Sequence, residues 1–122
     1  MLNILVVDDS IFMTKWLTKI IEDVTQNQIR YVHDGKSAIE AYKQYKPNLV
    51  FLDITMPQLD GVSALKEIIK YDSNAYVVMC SAMGQDVIIK NCFEIGAKDF
   101  VVKPFKDVEI RSKILKCFTS QE

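Results

Sequence analysis

Apolar runs and amphipathic stretches alternate five times along the chain. NILVV at 3–7 is continuously apolar and rich in Val and Ile, which suits a strand covered on both faces. From Ser10 to about Val24, the residues Phe12, Met13, Leu17, Ile20, Ile21 and Val24 recur at helical spacing, with Ser10 placed as an N-cap. QIRYV at 28–32 predicts a second, weaker strand. HDG then leads into a helix near 35–45 with Ala38, Ala41 and Tyr42 on one stripe, and Pro47 stops it. NLVFLD at 48–53 reads as a third strand, MPQLDG as a loop, and Val62, Leu65, Ile68 and Ile69 as the apolar stripe of a third helix. AYVVMCS at 75–81 predicts a fourth strand, and residues 85–95 a helix ended by Gly96. KDFVVK at 98–103 is the fifth strand, followed by a helix over 107–118 with Asp107 near its cap. In that last helix Val108, Arg111, Leu115 and Phe118 mark an inner face less cleanly than in the others.

Five strand–helix units fill the chain without any further repeat, low-complexity tract or linker. Strands this apolar, alternating with helices, predict an α/β fold: a doubly wound parallel sheet with helices on both faces. In such folds ligands sit beyond the carboxyl ends of the strands, where strand order reverses. Chemistry is therefore to be sought at the strand C-termini.

Length and composition narrow the options. With 122 residues, 49% apolar and 25% charged, the chain is expected to form one domain over 1–122 with a sizeable core. Lys plus Arg number 15 and Asp plus Glu 16, a formal charge of −1, so neither nucleic acid nor an anionic membrane is expected as the main partner. No run approaches the roughly 20 apolar residues of a membrane helix. MLNILVVDDS has no basic stretch before its apolar run and reads as a strand rather than a signal peptide. Cys80, Cys92 and Cys117 are an odd count, widely spaced and without CxxC, which points to core filling in a reduced, cytoplasmic protein. A single histidine, His33, rules out a multi-histidine metal site.

Four strand ends carry suggestive groups: Asp8-Asp9, Asp53, Ser81 and Lys103-Pro104. Each alone reads as well as a turn residue, a helix cap or solvated surface. Their arrival on one rim does not. Three carboxylates held close repel one another unless a cation joins them, and few hard oxygen ligands suit Mg²⁺ that retains waters and leaves room for phosphate oxygens. Imidazole or thiolate, which a transition metal would want, is absent from that rim. One of the acids can attack a phosphoryl group to form an acyl phosphate, while the metal, a lysine and a hydroxyl neutralise the transferring oxygens. The chain has only four glycines and no GxxxxGK[ST] loop, which argues against a nucleotide triphosphatase. Acids standing where a flavin phosphate would need amide donors argue against a flavodoxin-type cofactor protein.

VVDDS at 6–10, LDITMPQLDG at 52–61, CSAMG at 80–84 and GAKDFVVKPF at 96–105 together resemble the receiver domain of two-component response regulators, over essentially the whole chain. The resemblance implies a (βα)5 flavodoxin-like sheet with strand order 2-1-3-4-5. It implies Asp53 as phosphoacceptor, Asp9 as a direct Mg²⁺ ligand, Asp8 as a ligand through water, and the backbone carbonyl of Thr55 as a further ligand. Ser81 matches the family's hydroxyl position, and Lys103 its lysine, joined to Pro104 by a cis bond. Phe100 falls at the aromatic switch position: phosphate draws the hydroxyl inward and the ring follows. Thr55 and Met83 flank the phosphate and bring no acid or amide to position water, so rapid self-dephosphorylation is not expected.

The implied protein is a signalling switch rather than an enzyme. A histidine kinase would be its phosphodonor, and a downstream protein would bind the face formed by the fourth helix, fifth strand and fifth helix. CSAMGQ with DITMPQLDG is most like stand-alone chemotaxis regulators, which implies the flagellar motor switch, or a phosphatase, as that partner. The alternatives are a receiver excised from a DNA-binding or enzymatic regulator, a phosphotransfer sink, or a phosphatase acting on small substrates through an aspartyl phosphate.

Overall fold

The computed structural model describes residues 2–24, 27–56 and 59–120. Its elements run β1 (Leu2–Val7), α1 (Ile11–Val24), β2 (Asn27–Val32), α2 (Gly35–Tyr45), β3 (Leu49–Asp53), α3 (Gly61–Tyr71), β4 (Val77–Ser81), α4 (Asp86–Ile95), β5 (Asp99–Val102) and α5 (Asp107–Ser120). The strands form one sheet in the order β2-β1-β3-β4-β5, and every pairing is parallel. The chain passes from β1 outward to β2, then crosses back past β1 to build β3 on its other side. The reversal expected of a doubly wound sheet therefore lies between β1 and β3.

Strand alternation sorts the apolar residues into two cores. Leu5, Val7, Val50, Leu52, Val77 and Met79 face α2, α3 and α4, where Ala38, Tyr42, Leu65, Ile68 and Cys92 meet them. Ile4, Val6, Leu49, Phe51, Val78, Cys80 and Val101 face the other way, onto Leu17, Ile20 and Ile21 of α1 and Ile110, Ile114 and Cys117 of α5. All of β3 and β4 is buried, which is why their sequences read as unbroken apolar runs. The three cysteines are buried thiols within these cores.

Helix ends follow local chemistry. Ser10 Oγ accepts from Met13 N at 3.2 Å, Asp34 from Ser37 N at 2.7 Å and Asp60 from Ser63 N at 2.9 Å, each satisfying a first-turn amide. Lys46 closes α2 in the left-handed region at φ 45, immediately before Pro47. Gly96 follows α4 at φ 141.

Two expected faces are corrected. In α5 the buried stripe is Ile110, Ile114 and Cys117, whereas Val108, Leu115 and Phe118 are exposed and Arg111 is half-buried. The helix carries two apolar stripes, and contacts from outside it choose between them. Lys113 Nζ reaches Asp99 Oδ1 of β5 at 3.0 Å, and Cys117 Sγ reaches the Asn48 carbonyl at 3.5 Å. In α1, Phe12 is 74% exposed while Thr14 is buried. Thr14 tolerates burial because its hydroxyl donates to the Ile11 carbonyl at 2.8 Å. The fourth and fifth strands are also shorter than expected, at 77–81 and 99–102.

Candidate functional site

Strand periodicity assembles the site. Val6 and Phe51 are register partners, as are Val7 and Leu52, so Asp8 follows beside Asp53 at the C-terminal edge of adjacent strands. Asp8, Asp53 and Lys103 share the parity of Val6, Phe51 and Val101, the residues facing α1 and α5. All three therefore leave the sheet on the same side. Lys103 Nζ lies 2.9 Å from Asp8 Oδ2 and 3.2 Å from Asp53 Oδ2, bridging the two carboxylates. Asp8 and Asp53 are buried, and the Lys103 side chain is 25% exposed. Exposed Asp9 completes the cluster: one carboxylate oxygen from each of Asp8, Asp9 and Asp53 lies within 4.8 Å of the others.

Backbone contacts hold these groups in place. Asp8 Oδ1 accepts from Ser10 N at 2.9 Å, an Asx turn that couples the carboxylate to the start of α1. The Asp8 carbonyl lies 2.9 Å from His33 Nδ1, so the single histidine braces the β1 end. Ile54 N donates to the Cys80 carbonyl at 3.1 Å and Lys103 N to the Ser81 carbonyl at 2.7 Å, extending the ladder to the rim. The Lys103–Pro104 peptide bond is cis. Phe105, just beyond it, packs its ring 6.0 Å from that of Trp16 in α1, anchoring the loop that carries Lys103.

Glycine decides one approach. A Cβ on Gly61 would fall 2.0 Å from the Asp53 carbonyl oxygen and 2.7 Å from Ile54 Cα. Only a residue without a side chain lets α3 begin this close to the end of β3, where Gly61 N donates to the Ile54 carbonyl at 2.7 Å.

The electrostatics follow from crowding. Burial raises the Asp53 pKa from 3.8 to about 6; Lys103 pulls it down, and Asp8 and Asp9 push it back up. For Lys103 burial opposes the charged form, but Asp8 and Asp53 outweigh it, and the ammonium is held above its ordinary value. The Cys80 thiol, register partner of Asp53, is pushed up by burial and then by the Asp53 charge. It remains a neutral thiol beside the acids.

At this rim two buried polar atoms have capacity to spare among the described residues. Asp8 Oδ2 is buried and lies 2.9 Å from Lys103 Nζ, with no other polar partner among the described residues. Ser81 Oγ is buried with no hydrogen-bond partner among the described residues. An all-carboxylate donor set with a buried oxygen that Lys103 alone meets fits a hard divalent cation, and the cluster is able to coordinate one. Ser81 has the opposite strand parity to Asp53, on the α4 side of the sheet with Met79. Thr55 and Met83 are exposed beside this rim, and Phe100 is 36% exposed on β5.

The carboxylate cluster and its lysine were legible as residue types at strand ends. Sequence spacing marks Gly61 as easing entry into α3 but gives no sign of its contact with Asp53, nor of the contacts of His33 and Trp16. A glycine just after a capping Asp was the one available signal, and nothing local to His33 or Trp16 announces a partner so distant in sequence.

The model of the response regulator receiver domain matches residues 4–115. The chain belongs to that family. It is a CheY-like receiver domain of a two-component system, similar to stand-alone chemotaxis regulators and unlike a conventional enzyme. The chemotaxis protein CheY of Thermotoga maritima is 43% identical over 117 residues, covering 93% of this chain and 98% of that protein. CheY of Bacillus subtilis is 42% identical over 114 residues, covering 93% of this chain and 95% of that protein. A structure of the CheX–CheY–BeF3–Mg²⁺ complex from Borrelia burgdorferi superposes with a TM-score of 0.88 at 39% identity, covering 95% of this chain and 88% of that one. Among the described residues, no helix of the receiver is long and apolar enough to cross a membrane.

Proposed function

We propose that this receiver takes a phosphoryl group from the phosphohistidine of a histidine kinase onto Asp53, with Mg²⁺ bound by Asp8, Asp9, Asp53 and the Thr55 carbonyl. The observation that carries this reading is the Lys103 ammonium spanning Asp8 and Asp53 at 2.9 and 3.2 Å. It sets two buried carboxylates, Asp8 and Asp53, beside a fixed cation, on a rim that also holds an unpartnered hydroxyl. With its pKa at about 6, Asp53 is largely ionised at neutral pH and can act as nucleophile. An Asp53 oxygen forms the new bond to phosphorus as the phosphorus–nitrogen bond breaks, and the imidazole leaves with the electron pair. Bound Mg²⁺ supplies charge neutralisation for the phosphoryl oxygens. Lys103 contributes a second point charge, and Ser81 Oγ donates a hydrogen bond to a phosphoryl oxygen once one is present.

The added charge of about −1.5 to −2 biases a protein with two conformations. Ser81 moves towards the phosphoryl group, Phe100 turns in behind it, and the face made by α4, β5 and α5 changes. That face carries exposed Val87, Phe93 and Phe100, an apolar surface suited to a protein partner. Similarity to chemotaxis CheY proteins across the length of the chain favours the flagellar motor switch as that partner.

Labelling with a small acyl-phosphate donor tests the chemistry. One phosphate per chain is expected with Mg²⁺, and none in excess chelator or for Asp53→Asn. Equal labelling in chelator would remove the metal from the mechanism, and labelled Asp53→Asn would move the nucleophile. Capture of motor-switch protein by beryllofluoride-treated but not untreated receiver tests the output.

A further inference from the structure

We infer that Phe93 is a positioning residue for signal output: its ring on α4 holds Phe100 of β5 in the outward position and so sets how readily the receiver switches. The inference rests on the reading above, in which Phe100 turns inward on phosphorylation.

The two rings meet edge-to-face, with centroids 6.0 Å apart and planes at 87°, the arrangement that ring quadrupoles favour. Phe93 is 42% and Phe100 36% exposed. Neither ring is locked by burial, so their mutual contact carries weight in choosing a rotamer. Phe93 lies off the buried stripe of α4, which is Ile89 and Cys92. Its ring therefore contributes to the pair more than to the core.

Sheet geometry connects the pair to the phosphorylation rim. Asp99 and Val101 are buried towards α5, so Phe100 between them faces α4. Its register partner is Met79, and two residues further along β4 on the same face is Ser81, whose buried hydroxyl lacks a partner. A ring that follows Ser81 inward must give up the contact with Phe93. Phe100 also lacks a phenolic hydroxyl, so no hydrogen bond to water or protein holds it outward. Among the described residues Phe93 is its aromatic partner. An edge-to-face pair of this kind is worth about two- to tenfold in a two-state equilibrium, the factor by which Phe93 disfavours the inward state.

The test places a 4-fluorophenylalanine label at position 100 and titrates beryllofluoride with Mg²⁺, using ¹⁹F NMR as readout. Phe93→Ala should move the resting signal towards its ligand-bound position and tighten beryllofluoride binding by about two- to tenfold. Phe93→Leu, which keeps bulk but loses the quadrupole, should do so less. In a Phe100→Ala background, where binding is read from the ¹⁹F signal of the bound beryllofluoride itself, Phe93→Ala should leave the affinity unchanged. A resting signal and affinity insensitive to Phe93→Ala, in a receiver that binds beryllofluoride and shifts normally, would overturn the inference and leave the phosphoacceptor reading standing. So would an effect of equal size in the Phe100→Ala background. A wild-type receiver that fails to bind beryllofluoride at all would bring down both.

Discussion

Replacing Asp53 by Asn should stabilise the fold at neutral pH, because the proposed nucleophile is also a poorly accommodated charge. Asp53 is 5% exposed, and burial lifts its pKa from 3.8 to about 6 despite the nearby Lys103. A carboxyl whose folded pKa lies above its unfolded one holds its proton more tightly in the folded state. Stability therefore falls as pH rises through the interval from 3.8 to about 6, and the whole cost is present above it. A gap of about two pKa units corresponds to about 3 kcal/mol. The pull of Lys103 is already contained in that value; Asn keeps the shape without the charge but gives back part of the gain because an amide fits a carboxylate's contacts imperfectly, so a net gain of about 2 kcal/mol is expected. For a domain of this size that is a rise of roughly 8 °C in Tm. Thermal denaturation of both proteins in chelator at pH 7.5 and pH 4.5 measures it. The gain should appear at pH 7.5 and largely vanish at pH 4.5, where Asp53 is protonated. Mg²⁺ at pH 7.5 should narrow the gap by stabilising the wild type. An Asp53→Asn protein no more stable than wild type at pH 7.5, or a gain independent of pH, would refute the electrostatic account of the site.

Lys103→Ala removes the cation bridging Asp8 and Asp53; it should cost about 1–3 kcal/mol in chelator at pH 7.5, recover with acid as Asp53 protonates, and uncouple labelling from partner binding. Urea titration and a phospho-dependent binding assay check this, and unchanged partner binding would contradict the output role. Gly61→Ala drives a methyl against the Asp53 carbonyl and should destabilise by about 1–3 kcal/mol while lowering the labelling rate. Normal stability and labelling would mean that α3 can shift away freely. Ile114→Ala should cost about 2–5 kcal/mol, whereas Leu115→Ala should stay within about 0.5 kcal/mol. Chemical denaturation of both reports which stripe of α5 faces the sheet.

Periodicity made most of the architecture legible. The unbroken apolar runs of β3 and β4 announced strands buried on both faces, and their alternation with amphipathic segments predicted a parallel doubly wound sheet. The site was legible as chemistry, because Asp8, Asp9, Asp53, Ser81 and Lys103 each follow an apolar run and strand polarity carries all such ends to one rim. Helix phase was less legible. In α5 the stripes Ile110–Ile114–Cys117 and Val108–Leu115–Phe118 are both apolar, and a one-dimensional pattern cannot rank them. The choice was made by Asp99 and Asn48, which contact Lys113 and Cys117 from other elements. In α1 a buried threonine displaced an expected phenylalanine because its hydroxyl finds a partner within its own helix.

The sequence by itself determined what depends on nearest neighbours and on spacing: which segments are strands or helices, where caps and breakers stop them, and which residue types stand at strand ends. Tertiary structure alone decided what depends on register and packing between distant segments. It brought the Lys103 ammonium to 2.9 Å from Asp8, lodged Gly61 against the Asp53 carbonyl, and turned Phe93 edge-on to Phe100. Those distances also set the charge state of Asp53, because desolvation and the nearness of other charges belong to the assembled rim and to no residue alone.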